Sequence, residues 1–416
     1  MVAPDGYRNR VIDKKVSDYL EIFGAVSIEG PKNCGKTWTA RAFSESEFQL
    51  NHRNKKIAEI DVNIALKGEE PHLIDEWQEV PEIWDEVRFE VDRSTKKGRF
   101  ILCASSTLAT GVKNHSGAGR IGVLKMRPMS LYESGDSDGS VSLEGLFNGS
   151  FQPSLENEIR LEDLVKLTVR GGWPDQIGLS EKQALVKNKN YLDRLCEDDV
   201  VRIDGVKRDS RKMKMLLRSL ARNESSVVSD SRIMADMGIN DNETMSSPTL
   251  NDYLGVLRRL NILCEQEAFS ANVRSSVSVG KSPKRHLVDP SLSIAALNMD
   301  VKSCIRDLET YGFMFEAMCE RDLDIYSQAI GGNLYHYRDN KGNEIDAVIT
   351  IPGREWGAFE IKLGTNQIDS AASKLIGLSA QFEEPPRFLC VICGMSNAAY
   401  RRPDGVYVVP ITMLGP

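Results

Sequence analysis

The stretch Gly30-Pro31-Lys32-Asn33-Cys34-Gly35-Lys36-Thr37 decides the fold of this chain, because it follows the pattern G-x-x-x-x-G-K-[ST]. The apolar run Ala25-Val26-Ser27-Ile28, typical of a buried strand, precedes it, and a helical segment follows. In this order, the loop amides and the helix N-terminus attract phosphate groups. We therefore predict that residues 30–37 bind ATP, that Lys36 reaches its β- and γ-phosphates, and that Thr37 ligates Mg²⁺.

Two carboxylates follow another apolar segment and extend this prediction. Pro71-His72-Leu73-Ile74 is typical of a strand, and Asp75 and Glu76 come directly after it. We predict that Asp75 holds the Mg²⁺ and that Glu76 polarises the attacking water. Two acids that merely solvate a strand end are the alternative, but the nearby phosphate-binding pattern favours catalysis.

Further polar groups are candidates for the same site. The strand-like run 100–104 leads into Ser105 and Ser106, and a hydroxyl at that point could sense the γ-phosphate. We choose Ser105, with Ser106 as a nearly equal candidate. Arg120 lies in a predicted loop, where it could stabilise transferring charge in its own subunit or in a neighbouring one, or could simply be solvated.

The order of predicted elements divides the chain into four segments. Strands and helices alternate over residues 1–135, which predicts an α/β fold with a parallel sheet. The strands are predicted at residues 25–28, 57–62, 72–74 and 100–104. A Gly/Ser-rich break after Glu133 predicts a linker, with a helical segment, over 136–209. Three capped helices and two strands are expected over 210–298, and a second α/β unit over 299–416.

At these residues the chain resembles prokaryotic AAA-type ATP-binding proteins that carry a C-terminal domain of unknown function, DUF4143. Residues 30–37 and 74–81 are the most specific part of the resemblance. The other matching stretches are residues 100–106, 119–120, 128–133, 171–174, 281–284 and 288–290. The resemblance implies a winged-helix segment in the middle of the chain and a C-terminal domain similar to restriction endonucleases.

The residues of the C-terminal unit also indicate metal chemistry by themselves. Glu360 and Lys362 point to the same face of one predicted strand, because side chains alternate with a period of two. We predict that Asp346 and Glu360 hold one Mg²⁺. Glu316 would assist, and Lys362 would position water beside a scissile phosphate. The alternatives are a salt-bridged pair on an exposed strand edge and a domain that binds without cutting.

Charge leaves the choice of partner open. The formal net charge of −7 argues against a chain coated with basic surface, although local basic patches remain. These patches contain Arg202, Lys207, Arg208, Arg211, Lys212, Lys214, Arg258, Arg259, Lys281, Lys284 and Arg285. They are compatible with DNA or other nucleic acid at a winged helix, with a helical bundle that contacts a protein partner, or with solvated faces.

The lack of membrane-spanning and signal segments, together with the cysteine usage, predicts a cytoplasmic protein. No apolar run is long enough to span a membrane, and residues 1–15 lack a signal core. The eight cysteines are scattered, as expected for reduced thiols. Cys390 and Cys393 form a C-x-x-C, which is half a zinc site, a redox pair or, as we favour, two buried strand positions.

Three functions therefore compete. The leading hypothesis is an AAA-type ATPase, with the option of a homo-oligomer, that acts on nucleic acid through winged-helix and endonuclease-like domains. The second is an ATP-dependent regulatory or protein-interaction switch whose nuclease-like domain is inactive. The third is a sensor whose ATPase activity needs a partner.

Overall fold

The computed structural model describes residues 4–107, 116–156, 159–270, 282–339, 341–353 and 355–416. Lys281, one of the predicted basic residues, lies outside these ranges. Within them, no helix is long and apolar enough to cross a membrane.

A five-stranded parallel sheet forms the first region. Its strands are β1 (Ala25–Glu29), β2 (Ser46–Gln49), β3 (His72–Asp75), β4 (Phe100–Ala104) and β5 (Ile121–Lys125). Its helices are α1 (Asp13–Ile22), α2 (Lys36–Ala42), α3 (His52–Ile60), α4 (Glu82–Asp92) and α5 (Leu131–Ser134). The strand order is β2-β3-β4-β1-β5 with every pairing parallel, so all carboxyl ends meet at one edge. The predicted α/β fold with a parallel sheet is confirmed.

One predicted strand of this sheet is wrong. Residues 57–62 lie mostly in α3, and the strand beside β3 is β2. Asn51 caps α3, because its side chain accepts hydrogen bonds from the backbone of the first helical turn. β2 is a polar, partly exposed edge strand, so it lacks the apolar run that identified β1 and β4, both buried along their full length.

Helices and a small antiparallel sheet form the middle of the chain. The elements from residue 141 onward are β6 (Val141–Ser142), α6 (Leu143–Asn148), β7 (Ser154–Leu155), α7 (Leu161–Arg170), α8 (Glu181–Arg194), α9 (Val200–Arg202), α10 (Ser210–Arg222), β8 (Ser226–Val227), α11 (Asp230–Asp241), α12 (Ser247–Arg259), β9 (Leu263–Gln266), β10 (Lys284–Leu287) and α13 (Pro290–Ala296). The sheet order is β8-β10-β9, with both pairings antiparallel. Helices α10 to α12 pack on it around a core of leucine, isoleucine and methionine side chains.

The C-terminal region is built on a seven-stranded sheet. Its elements are α14 (Val301–Arg306), α15 (Leu308–Ala329), β11 (Asn333–Arg338), β12 (Glu344–Thr350), β13 (Trp356–Lys362), α16 (Ile368–Ser379), β14 (Phe388–Cys393), β15 (Ala398–Arg401), β16 (Tyr407–Pro410) and β17 (Leu414–Gly415). The sheet order is β11-β12-β13-β14-β16-β15-β7. The long helix α15 packs on one face of the sheet and α16 on the other.

Residues 136–156 do not form the linker that composition suggested. β7 pairs with β15 and β6 pairs with β17, so the segment belongs to the C-terminal region. Ser137 donates a hydrogen bond to the carbonyl of Leu414 at 2.7 Å, and Asp136 pairs with Arg170. A polar stretch predicts solvent exposure only when its hydrogen bonds go to water, and here they go to distant elements.

Candidate functional site

The predicted phosphate-binding loop lies at the carboxyl edge of the parallel sheet, between β1 and α2. Two of its glycines are required by geometry. A Cβ on Gly30 would stand 2.2 Å from the carbonyl oxygen of Met126, and Gly35 has a φ of +107°. The loop therefore closes tightly over the end of β1 and delivers Lys36 and Thr37 to the first turn of α2.

Thr37 and Asp75 meet across this edge. Thr37 Oγ1 lies 3.2 and 3.1 Å from the two carboxylate oxygens of Asp75, the last residue of β3. Burial, with the neighbouring Glu76 carboxylate as the next cause, raises the pKa of Asp75 to about 6. A hydroxyl beside a buried carboxylate is a set of hard oxygen donors that fits Mg²⁺.

Glu76 is held in a defined position next to Asp75. Its backbone is left-handed, with a φ of +60°, and Ser105 Oγ donates to Glu76 Oε2 at 2.8 Å. Gln78 Nε2 donates to the same carboxylate oxygen and, at 3.2 Å, to Ser105 Oγ. The structure thus brings the predicted Ser105 to Glu76. Gln78 was missed, although it lies within the specific stretch 74–81.

A cavity of about 640 Å³ opens over the loop. Lys36, Thr37 and Asp75 line it from the sheet side, and Tyr7 and Pro174 line it from other segments. The Lys36 ammonium is buried and donates to the carbonyl of Pro31 at 2.7 Å. The cavity is of the size that small-molecule sites usually have.

Arg120 does not join this group. Its carbonyl accepts a hydrogen bond from the backbone of Ala25, so it lies at the amino edge of the sheet, opposite the loop. Its half-exposed side chain pairs with Asp92 at 2.7 Å. About five strand residues, or roughly 16 Å, separate the two edges, so the role within its own subunit is not supported. Contact with a neighbouring subunit stays a prediction.

A buried ion pair behind the loop was also missed. Arg10 Nη1 donates to the carbonyl of Cys34 at 2.8 Å, and Arg10 Nε donates to Glu133 at 2.9 Å. Both side chains are almost completely buried, and Glu133 completes a capping box with Ser130 on α5. Arg10 therefore connects the phosphate-binding loop to residues 128–133. No role was predicted for Arg10 from the sequence.

The loop also contacts the middle of the chain. The Lys32 ammonium forms an ion pair with Asp199, and the Tyr191 hydroxyl donates to the Lys32 carbonyl at 3.4 Å. The middle region is therefore in direct contact with residues that are predicted to bind phosphate.

Three sequence stretches that had no assigned role meet close to the loop. Met129 donates its backbone N–H to the carbonyl of Gly172, and the Gly172 N–H donates to Asp289 Oδ2 at 3.0 Å. Asp289 also accepts a hydrogen bond from Arg321 on α15 at 2.8 Å. Stretches 128–133, 171–174 and 288–290 thus connect the parallel sheet to the middle and C-terminal regions.

The predicted C-terminal residues also come together. Lys362 Nζ lies 2.8 Å from Glu360 Oε1 and 3.5 Å from Asp346 Oδ2. Glu316 joins them through the Lys284 ammonium, which binds Glu316 and donates to the Asp346 carbonyl at 3.3 Å. Lys284 was not predicted there. Among the described residues, no group of three or more His, Cys, Asp or Glu could hold a metal ion.

That arrangement corrects the metal prediction for this region, whereas the cysteine interpretation stands. Asp346 and Glu360 are bound by lysine ammonium groups, so a Mg²⁺ between them is not supported. Cys390 and Cys393 are buried free thiols on β14, which agrees with the interpretation as two strand positions.

The predicted basic patches are largely neutralised. Lys284 and Arg285 are only 4 % and 6 % exposed, and Arg285 pairs with Glu265 at 3.1 Å. Arg258 pairs with the same glutamate at 2.7 Å, and Arg259 pairs with Asp204. These four cations therefore do not form the exposed patch that phosphate contacts require.

The parallel sheet and its loop define the class, a P-loop nucleotide-binding protein of the AAA type. Residues 23–134 match the family model described as "AAA domain". Residues 311–414 match "Domain of unknown function (DUF4143)", and residues 161–303 match "Domain of unknown function (DUF8612)". Residues 23–134 are therefore an AAA domain and residues 311–414 a DUF4143 region, as the sequence resemblance predicted.

The chain is also similar to individual proteins. The "Uncharacterized protein Rv2008c" of Mycobacterium tuberculosis is 23% identical over 345 residues, which cover 81% of this chain and 70% of that protein. A Mycobacterium bovis protein, "Uncharacterized protein Mb2031c", shows the same values. Among solved structures, a Walker-type ATPase of Pyrococcus abyssi has a TM-score of 0.43 at 13% identity, covering 71% of this chain and 97% of that chain. The ORC2 protein of Aeropyrum pernix has a TM-score of 0.32 at 13% identity, covering 73% and 98%.

Proposed function

We propose that this chain is an ATP-hydrolysing switch. The observation that carries the proposal is the meeting of Thr37, Asp75 and Glu76 at one edge of the sheet, with Thr37 Oγ1 3.1 Å from Asp75. Backbone amides of loop 30–35 and the N-terminus of α2 would bind the phosphates. Lys36, on the same cavity, would pair with the β- and γ-phosphates.

The residues around Glu76 support hydrolysis in addition to binding. Mg²⁺, when bound with the nucleotide, neutralises phosphate charge, and Thr37 and Asp75 would hold it. The Glu76 carboxylate would orient the attacking water and accept its proton. Ser105 and Gln78 both donate to Oε2 of Glu76, so they fix the carboxylate through one oxygen and do not engage Oε1.

Glu76→Gln tests this proposal, because it removes the base but keeps the size of the side chain. We expect ATP affinity to persist and steady-state phosphate release to fall by about 100-fold or more. Glu79→Gln is the matched control, since Glu79 is an exposed acid of the same stretch that pairs with Lys55. Equal rates for wild type and Glu76→Gln would remove hydrolysis from the proposal.

Nucleic acid is the target that we propose for the switch. The three helices and the β9–β10 pair that a winged helix needs support this target. One observation favours the second candidate, a regulatory or protein-interaction switch: the ion pairs that Arg258, Arg259 and Arg285 form with acids.

Salt dependence of DNA binding separates the two candidates. A protein that neutralises several phosphates loses affinity steeply as salt rises. Anisotropy of a labelled duplex, measured at low and high salt with and without ATP, should show that loss if nucleic acid is the target. Binding that is absent at low salt in both nucleotide states would favour the protein-interaction switch.

A further inference from the structure

The C-terminal acids form a cluster that is shared by two regions of the chain. Glu316 and Glu320 lie one turn apart on α15, and Asp346 and Glu360 lie on the neighbouring strands β12 and β13. The cation among them comes from elsewhere: Lys284 belongs to β10, in the middle region. Lys284 Nζ binds both glutamates of α15, and its contact with Glu320 is 2.6 Å long.

The remaining acids of the cluster have cations of their own. Glu360 Oε1 lies 2.8 Å from Lys362 Nζ and 2.6 Å from Lys374 Nζ. Asp346 accepts the backbone N–H of Ile361 at 2.7 Å and also faces Lys362. Four carboxylates thus share three ammonium groups, which leaves little net negative charge to attract a divalent cation.

Lys284 stands where a cation bridging the two halves of the cluster would have to be. It is 4 % exposed, and it contacts both α15 and the β12 backbone. Burial lowers the pKa of Lys284, but the Glu316 and Glu320 carboxylates outweigh burial and raise it above its usual value, so the lysine stays charged. One oxygen remains: Glu360 Oε2 is buried and has no hydrogen-bond partner among the described residues.

We propose that Lys284 is an internal cation that closes the acidic cluster of the DUF4143 region, so that a divalent cation binds there only when this ammonium is withdrawn. Because Lys284 is supplied by β10, the cluster opens only if the middle region shifts against α15. The proposal does not depend on ATP hydrolysis. On this proposal, the acids predicted to bind metal do not form a metal site here because the middle region places Lys284 among them.

Mn²⁺ titration of the nucleotide-free full-length chain tests the proposal. A Thr37→Ala background removes the hydroxyl ligand at the P-loop, so that heat from that site does not interfere. Lys284→Met removes the ammonium but keeps the length of the side chain. Lys284→Met combined with Glu320→Gln also removes one buried charge, and it keeps the test valid if the single variant does not fold.

We expect no saturable Mn²⁺ binding in the background protein and saturable single-site binding in a folded Lys284 variant, with an affinity at least about tenfold above the weakest binding that the titration detects. Adding Asp346→Asn should abolish the gained binding. Arg285→Met is the matched control, because Arg285 is the next residue on β10 and pairs with Asp230 and Glu265, outside the cluster. It should gain no binding.

Three results would overturn the proposal. The first is Mn²⁺ binding in the background protein that Asp346→Asn removes, because the cluster would then already be open. The second is the absence of binding in every Lys284 variant that folds, because Lys284 would then not be what closes the cluster. The third is equal binding in Arg285→Met, because the gain would then reflect general loosening of β10.

Discussion

The P-loop edge and the C-terminal cluster contain the same kinds of group, carboxylates and lysine ammonium groups, in opposite electrostatic states. At the P-loop, Lys36 bonds to the carbonyl of Pro31, and the side-chain partner of Asp75 is the Thr37 hydroxyl. In the cluster, Glu316 and Glu360 are each within ion-pair distance of lysine ammonium groups. The charges at the P-loop edge are therefore available for a ligand, whereas those of the C-terminal cluster are neutralised by ion pairs within the chain.

This difference shows that residue type and spacing are not sufficient to identify a ligand site. Burial raises the pKa of Asp75, whose side-chain hydrogen-bond partner is the Thr37 hydroxyl, so its ionised form would be stabilised by a cation from outside the chain. The Glu316 and Glu360 carboxylates also have raised pKa values, but they receive lysine ammonium groups from the chain itself. Four measurements test whether the two sites differ in this way.

The largest effect is expected for Lys284→Met on stability. The substitution leaves Glu316 and Glu320 buried without their cation, which should cost about 3–5 kcal/mol of unfolding free energy. Urea unfolding measures this loss. Lys374→Met is the control: its side chain is 38% exposed and Glu360 keeps Lys362, so about 1 kcal/mol or less is expected. Equal losses would mean that Lys284 is no more important than a surface lysine.

The pH dependence of stability should show that the ionised form of Asp75 is not compensated within the nucleotide-free chain. Its folded pKa of about 6 lies above the ordinary value of 3.8, so its ionisation opposes folding. The penalty is absent below about pH 4, grows as the pH rises, and is complete above about pH 6, where it reaches at most about 3 kcal/mol. Asp75→Asn cannot ionise, so without nucleotide its stability relative to wild type should rise across this range. A constant difference would contradict the assignment.

Lys36→Met should weaken ATP binding by about 10- to 100-fold, because it removes a charge-assisted contact to phosphate. Calorimetry with ATP and Mg²⁺ measures the change. Lys32→Met is the control within the same loop, since the ammonium of Lys32 pairs with Asp199, and a loss of about threefold or less is expected. Equal losses of ATP affinity in the two variants would mean that Lys36 does not contact the phosphates as we propose.

The smallest effect is expected for Arg120→Ala. Its side chain lies at the far edge of the sheet and pairs with Asp92 in solvent, so ATP affinity should stay within about twofold of wild type. Phosphate release measured over a range of protein concentrations tests whether Arg120 acts on a neighbouring subunit. A loss of activity that appears only at high concentration would indicate that Arg120 acts on a neighbouring subunit.

Much of the fold was predictable where local pattern and tertiary structure agree. β1 and β4 are buried strands that contain apolar runs, and the structure has them within one residue of the predicted bounds. β2 was not predictable in this way, because a polar edge strand carries no such run. Residues 57–62 carried one by chance, and Ile60 is 87% exposed on α3.

The candidate site divides in the same way. Thr37, Asp75, Glu76 and Ser105 follow from strand ends in a parallel sheet, since their positions depend only on strand order. Arg10 and Gln78 could not be assigned, because their roles depend on contacts that no spacing rule describes.

Local sequence patterns identified the phosphate-binding loop, the acids at the end of β3, and the strand that carries Glu360 and Lys362, because each of these depends on neighbours within a few residues. Which charges remain available to a ligand depends instead on contacts between distant parts of the chain. Lys284 and Glu316 are 32 residues apart in the chain, and Arg10 and Glu133 are 123 apart. Ion pairing at such separations is set by how the regions pack, and a pattern read along the chain does not contain that information.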